Sequence, residues 1–126
     1  MGALRDYISK DPVTEKYSVL NFPVLPENPY SIDLKETANL LDRFYPELII
    51  LGKSMILHLE PVAEIRKMLE TKTSKPVIMY DMAHVLGLIG PHFQNPYAEG
   101  VDIITGSTHK TFYGSQRGVI GASYEG

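Results

Sequence analysis

The chain reads as an α/β domain, with a mostly parallel sheet in a three-layer α/β/α arrangement. Three observations carry that reading. Two short apolar runs, Glu47-Leu48-Ile49-Ile50-Leu51 and Val77-Ile78-Met79-Tyr80, are closed abruptly by Gly52 and Asp81. Such runs fit strands buried on both faces, as strands of parallel sheets are. Segments with helical spacing alternate with them, and that alternation is the mark of parallel α/β architecture. Finally, polar residues come directly after the apolar runs, where open parallel sheets bind their ligands. At 126 residues there is room for one domain with a real core and not for two.

Residues 1–15 are polar and mixed, and a loosely fixed start is expected. Tyr17-Ser18-Val19-Leu20 is a short strand candidate. The stretch from Phe22-Pro23 to Pro29-Tyr30 reads as a loop, because proline removes amide donors and fixes φ. Asp33, followed three residues later by Glu36, resembles a capping box. Leu34, Ala38, Leu41 and Phe44 keep helical spacing, so the pattern predicts an amphipathic helix over 34–45, ended by Pro46. After the first buried strand, Pro61 suits the opening turn of a second helix whose inner face is Val62, Ile65 and Leu69. Residues 72–76 form a turn, and residues 83–89 a short helix or turn. The last two strands are predicted over 101–105 and 118–124.

Composition narrows the function. A net charge of −3 and a pI near 5.8, with no Lys/Arg run, argue against a nucleic-acid or membrane-surface binder. The absence of cysteine excludes disulfides and thiolate metal sites, and fits a cytoplasmic protein. No apolar run approaches the roughly 20 residues needed to span a bilayer, and the first residues lack the apolar core of a signal peptide. There is no Walker A loop and no GxGxxG fingerprint.

Three strand ends then converge on one sheet edge: Gly52-Lys53-Ser54, Asp81-Met82-Ala83-His84 and Ser107-Thr108-His109-Lys110-Thr111. Lys110 is a candidate nucleophile toward an aldehyde cofactor. Such a lysine must be neutral part of the time, which desolvation and neighbouring cations favour. A lone loop lysine is more often a surface residue with its ammonium in water. Asp81 could pair with a protonated ring nitrogen, which would keep the ring electron-withdrawing. Alone, it is more often a cap on the following turn. His84, three residues on, could donate to a cofactor oxygen or relay a proton. His109 could bind an anion or tune Lys110, and Ser54 offers a hydroxyl or a simple turn. Asp81, His84 and His109 are common ligand types for a metal, but no standard ligand spacing supports that reading.

Asp81-Met82-Ala83-His84-Val85-Leu86-Gly87-Leu88 and Thr108-His109-Lys110-Thr111, at their order and spacing, resemble the serine hydroxymethyltransferase family. These are pyridoxal 5′-phosphate enzymes of fold type I. The resemblance extends over roughly residues 15–124. It implies part of a fold type I large domain, with Lys110 attached covalently to the cofactor and Asp81 paired with its pyridine nitrogen. His84 and Ser54 would lie near the phenolic oxygen, and Thr108 and His109 would line the site. It further implies serine and glycine as amino-acid substrates, a folate or related pterin as one-carbon carrier, and a homodimer. The chain departs from the family pattern at Gly114-Ser115-Gln116-Arg117-Gly118, where the arginine is displaced by one place, and at Ile56, where an aromatic is usual. These departures leave room for a fold type I aldolase or aminoacyltransferase, or for a non-catalytic assembly module. Members of the family are several times longer, so the chain is expected to be a fragment of the large domain, exposing a sheet edge and self-associating.

Overall fold

The computed structural model describes residues 8–123. A hairpin of β1 (Val24–Leu25) and β2 (Asn28–Ile32) leads into α1 (Leu34–Leu41). Then come β3 (Leu48–Leu51), α2 (Val62–Glu70), β4 (Val77–Asp81), a 3-10 turn at Leu86–Leu88, β5 (Ile103–Ser107) and β6 (Gly118–Ala122). The main sheet has the order β3-β4-β5-β6. Its first three strands are parallel, and β6 returns antiparallel to β5. The α/β class and the mostly parallel sheet are therefore as the sequence indicates.

Register assigns every side chain to a face. Ile49 sits beside Ile78, Leu51 beside Tyr80, and Tyr80 beside Ile104. Neighbours in register share a face. These residues form one core with Leu41 of α1 and Val62, Ile65 and Leu69 of α2. Ile65, Val62, Ile78 and Tyr80 are fully buried. The inner face expected of α2 is the one observed, and the turn before it carries Pro61. An ion pair locks this packing: Arg66 Nη2 lies 2.6 Å from Asp102 Oδ2, which also accepts from the amide of Ile78 at 2.7 Å.

The opposite face differs from expectation. Leu48, Val77 and Ile50 are 45%, 40% and 37% exposed. The apolar runs are thus buried on one face and open on the other, because both helices among the described residues contribute to the same core. Other differences are local. The proline-rich stretch is a hairpin whose two-residue turn is Pro26-Glu27. Proline at the first turn corner and on a two-stranded ribbon, where every strand is an edge, costs no ladder bond. Tyr17 pairs with Lys10 in an isolated bridge rather than in a strand. Asp33 caps α1 by accepting from the amide of Glu36 at 3.0 Å, but its own amide goes to the Pro23 carbonyl, so the box is half formed. Helix α1 stops at Leu41, short of Phe44. Strand β5 begins and ends two residues later than predicted. The expectation of a loose N-terminus falls partly on residues 1–7, outside the described residues. From residue 8 the chain is largely exposed, with the Asp11 carboxylate held below its ordinary pKa by bonds from Thr14 and Val13. No helix among the described residues is long and apolar enough to cross a membrane.

Just before α2, at Glu60, lies a small polar network. Glu60, 3% exposed, is paired with Lys53 at 2.9 Å, and its backbone exchanges bonds with Gln94. Gln94 also donates to Glu99 at 2.6 Å. The Tyr80 hydroxyl is buried beside these groups without a hydrogen-bond partner among the described residues. Burial first, then the charges of Glu60 and Glu99, hold its pKa well above the ordinary tyrosine value. The folded state thus keeps this proton where the unfolded chain would release it. The contribution of this group to stability is complete below about pH 10 and is lost above it by about 1.4 kcal/mol per pH unit. Tyr80→Phe is expected to leave stability at pH 7 within about 1 kcal/mol of the parent and to flatten the alkaline loss. Urea titrations at pH 7, 10 and 11 check this, and an equally steep loss in the variant contradicts it.

Candidate active site at the strand ends

Strands β3, β4 and β5 are parallel, so their carboxyl ends lie on one edge of the sheet. Asp81 is the last residue of β4 and pairs in register with Thr105. Asp81 is therefore on the open face, the one opposite Tyr80. Ser107, two residues beyond Thr105, is on that face too. From strand spacing and rise, the Asp81 and Ser107 Cα atoms stand on the order of 8 Å apart. The Lys110 amine donates to Ser107 Oγ at 3.3 Å and is part-buried. A carboxylate and a primary amine thus share one face at one edge, on neighbouring strand ends.

Asp81 is oriented from two sides. Its Oδ1 accepts from the Ala83 amide at 3.0 Å, the capping role that its position suggested. Gly52, with φ of +110°, packs directly against it: a Cβ there would overlap the Asp81 carbonyl oxygen. Only glycine supplies both the left-handed backbone and the bare approach.

The remaining candidates are distributed around this pair. Ser54 is exposed, two residues beyond Gly52, on the far side of β4 from Lys110. His84 is half-buried, and its carbonyl accepts from the Thr111 hydroxyl at 3.0 Å. His109 is exposed. Thr108 is committed elsewhere. Its hydroxyl donates toward the Ser115 and Arg117 carbonyls and accepts from the Arg117 amide at 3.1 Å. It closes the loop of residues 108–117 on itself. Ser107 belongs to the strand-end stretch singled out from the sequence, where no role attaches to it; its bond to the Lys110 amine supplies one. The roles of Gly52 and Thr111 depend on contacts across the fold, which no local pattern carries. A cavity of about 550 Å3 lies elsewhere, at the start of β3, lined in part by Phe44, Tyr45 and Leu48.

A family model described as Serine hydroxymethyltransferase matches residues 5–124. The chain belongs to this family. It is 47% identical over 108 residues to a serine hydroxymethyltransferase of Archaeoglobus fulgidus, covering 85% of this chain and 24% of the relative. It is 46% identical to those of Methanosphaera stadtmanae and Thermococcus onnurineus, over 71% and 72% of this chain and 21% of each relative. The chain therefore spans about a quarter or less of the length of these curated serine hydroxymethyltransferases. The matched segment includes all three strand ends.

Replacing Gly52 by alanine forces a side chain into the Asp81 backbone at a positive φ. The expected cost is about 1–3 kcal/mol of stability, read by urea denaturation. A change below about 0.5 kcal/mol, the range of ordinary surface substitutions, would contradict the close approach.

Proposed function

We propose that these residues form the cofactor-binding part of a pyridoxal 5′-phosphate-dependent serine/glycine hydroxymethyltransferase, which moves a one-carbon unit between serine and a folate or related pterin. Family membership supports the reaction class. The observation that carries the reading for this chain is the Lys110 amine and the Asp81 carboxylate on one open face at the carboxyl edge of the sheet. A homodimer in the cytoplasm is the form in which we expect it to work.

The residues fit the group. Asp81 keeps one carboxylate oxygen on the Ala83 amide, and its other oxygen has no partner among the described residues. That oxygen is available to a protonated pyridine nitrogen, a charge-assisted bond stronger than a neutral one. Lys110, steadied by Ser107, is available for covalent attachment and can take or return a proton at Nζ. When bound, pyridoxal 5′-phosphate supplies an aldehyde for attachment and a ring that withdraws electrons from the reacting carbon. His84 and Ser54 flank Asp81 in sequence and across the sheet, and we assign them to the phenolic oxygen. His109, exposed beside Lys110, is assigned to the phosphate side. Thr108 serves the site through the loop it closes.

Adding pyridoxal 5′-phosphate is expected to give absorbance near the visible edge, and borohydride reduction to leave the cofactor's mass on the Lys110 peptide. Lys110→Ala should abolish both. Asp81→Asn should weaken binding about 10-fold or more, the worth of one charged hydrogen bond. Absorbance unchanged in Lys110→Ala would overturn the reading.

A further inference from the structure

Two loops carry the candidate chemistry. One follows β4 and holds His84. The other follows β5 and holds Lys110. They belong to different strand ends, and something must fix their separation for the two groups to act on one ligand.

The contact between them is specific. The Thr111 hydroxyl donates to the His84 carbonyl at 3.0 Å and accepts from the Gly87 amide at 3.2 Å. One hydroxyl thus uses its donor and an acceptor pair on two backbone groups of the opposite loop. Gly87 also packs directly against the backbone of that segment. A Cβ there would overlap the Thr111 carbonyl and lie 2.6 Å from the Phe112 amide nitrogen. Hydroxyl and bare glycine are complementary parts of one junction. A longer β4 loop side chain at 87, or an apolar one at 111, would part the loops. A third bond lies below, where the Met82 amide donates to the Thr105 carbonyl at 2.7 Å.

We infer that Thr111 and Gly87 form a clasp that sets the position of Lys110 relative to His84 before any ligand arrives. Thr111 is a positioning residue. It acts through the backbone of both loops and touches neither amine nor carboxylate. The clasp exists by geometry alone, and its catalytic meaning rests on the function proposed above. The threonine stands directly after the lysine, so its neighbour carries the amine while its own hydroxyl spans to the other loop. Valine keeps the shape and loses both bonds, whereas serine keeps them.

The test uses Thr111→Val, Thr111→Ser and Gly87→Ala in the full chain without cofactor. Amide hydrogen exchange at Gly87 reads the clasp. Acetylation of Lys110 by limiting acetic anhydride, relative to Lys35 and Lys67, reads the placement of the amine. In Thr111→Val, Gly87 exchange should rise at least tenfold and Lys110 labelling at least threefold, with labelling of the helical lysines unchanged. Thr111→Ser should restore both values. Gly87→Ala should raise Lys110 labelling to a similar degree, so the inference does not depend on one variant folding. Exchange and labelling in Thr111→Val equal to the parent would overturn it. So would raised exchange with Lys110 labelling unmoved, since the loop would then be loosened without the amine being placed by it. Borohydride trapping of pyridoxal 5′-phosphate on the parent chain is run alongside. If the parent traps none while Thr111→Val and Gly87→Ala still free Lys110, the cofactor reading falls and the clasp stands.

Discussion

Ile49, Leu51, Ile78, Tyr80 and Ile104 occupy one face of the sheet because α1 and α2 bury only that face. Side chains alternate along a strand, so a slip of one residue in β4 would turn Ile78 and Tyr80 outward and Asp81 inward. The apolar pattern thus does more than build a core. It decides that the carboxylate at the end of β4 stands on the open face, level with Thr105 and next to the strand end that carries Lys110. Arg66 and Asp102 reinforce the same register, since the carboxylate that pairs with α2 also accepts the first amide of the β4 core.

Close backbone approach holds the loops that leave the strands. Gly52 lets the β3 end lie against Asp81, and Thr111 and Gly87 join the loops after β4 and β5. Thr108 closes the lysine loop on itself through Ser115 and Arg117. The arginine displaced from the usual family spacing is one of these backbone partners. In this chain Arg117 contributes to loop closure through its amide and carbonyl, and its side chain donates to the Gln116 carbonyl at 2.9 Å. A constellation fixed by backbone contacts loses little order on binding, which favours orientation-dependent chemistry.

Much of this was legible in the residues themselves. The run ending in Asp81 and the stripe Val62, Ile65, Leu69 announced β4 and α2, because burial forces periodicity. The D-x-A-H and T-H-K-T motifs announced the family. The hairpin at 24–32 was hidden by its prolines, which read locally as breakers and are harmless on a ribbon with no inner strand. The open sheet face was hidden because an apolar run says what could be buried, not what covers it. The later start of β5 reflects pairing with β6. Ser107 and Thr111 owe their roles to partners 3 and 27 residues away, and Gly52 owes its role to the neighbouring strand end. Such roles require the fold.

We propose the carboxyl edge of β3, β4 and β5 as the place where pyridoxal 5′-phosphate is held. Backbone amide shifts, followed while the cofactor is added to isotope-labelled protein, test it most directly. The expected result is that the large shifts fall at Ala83, Ser107 and Lys110, with a smaller group at Ser54. Shifts confined to residues 44–50, around the cavity at the other end of β3, would contradict it.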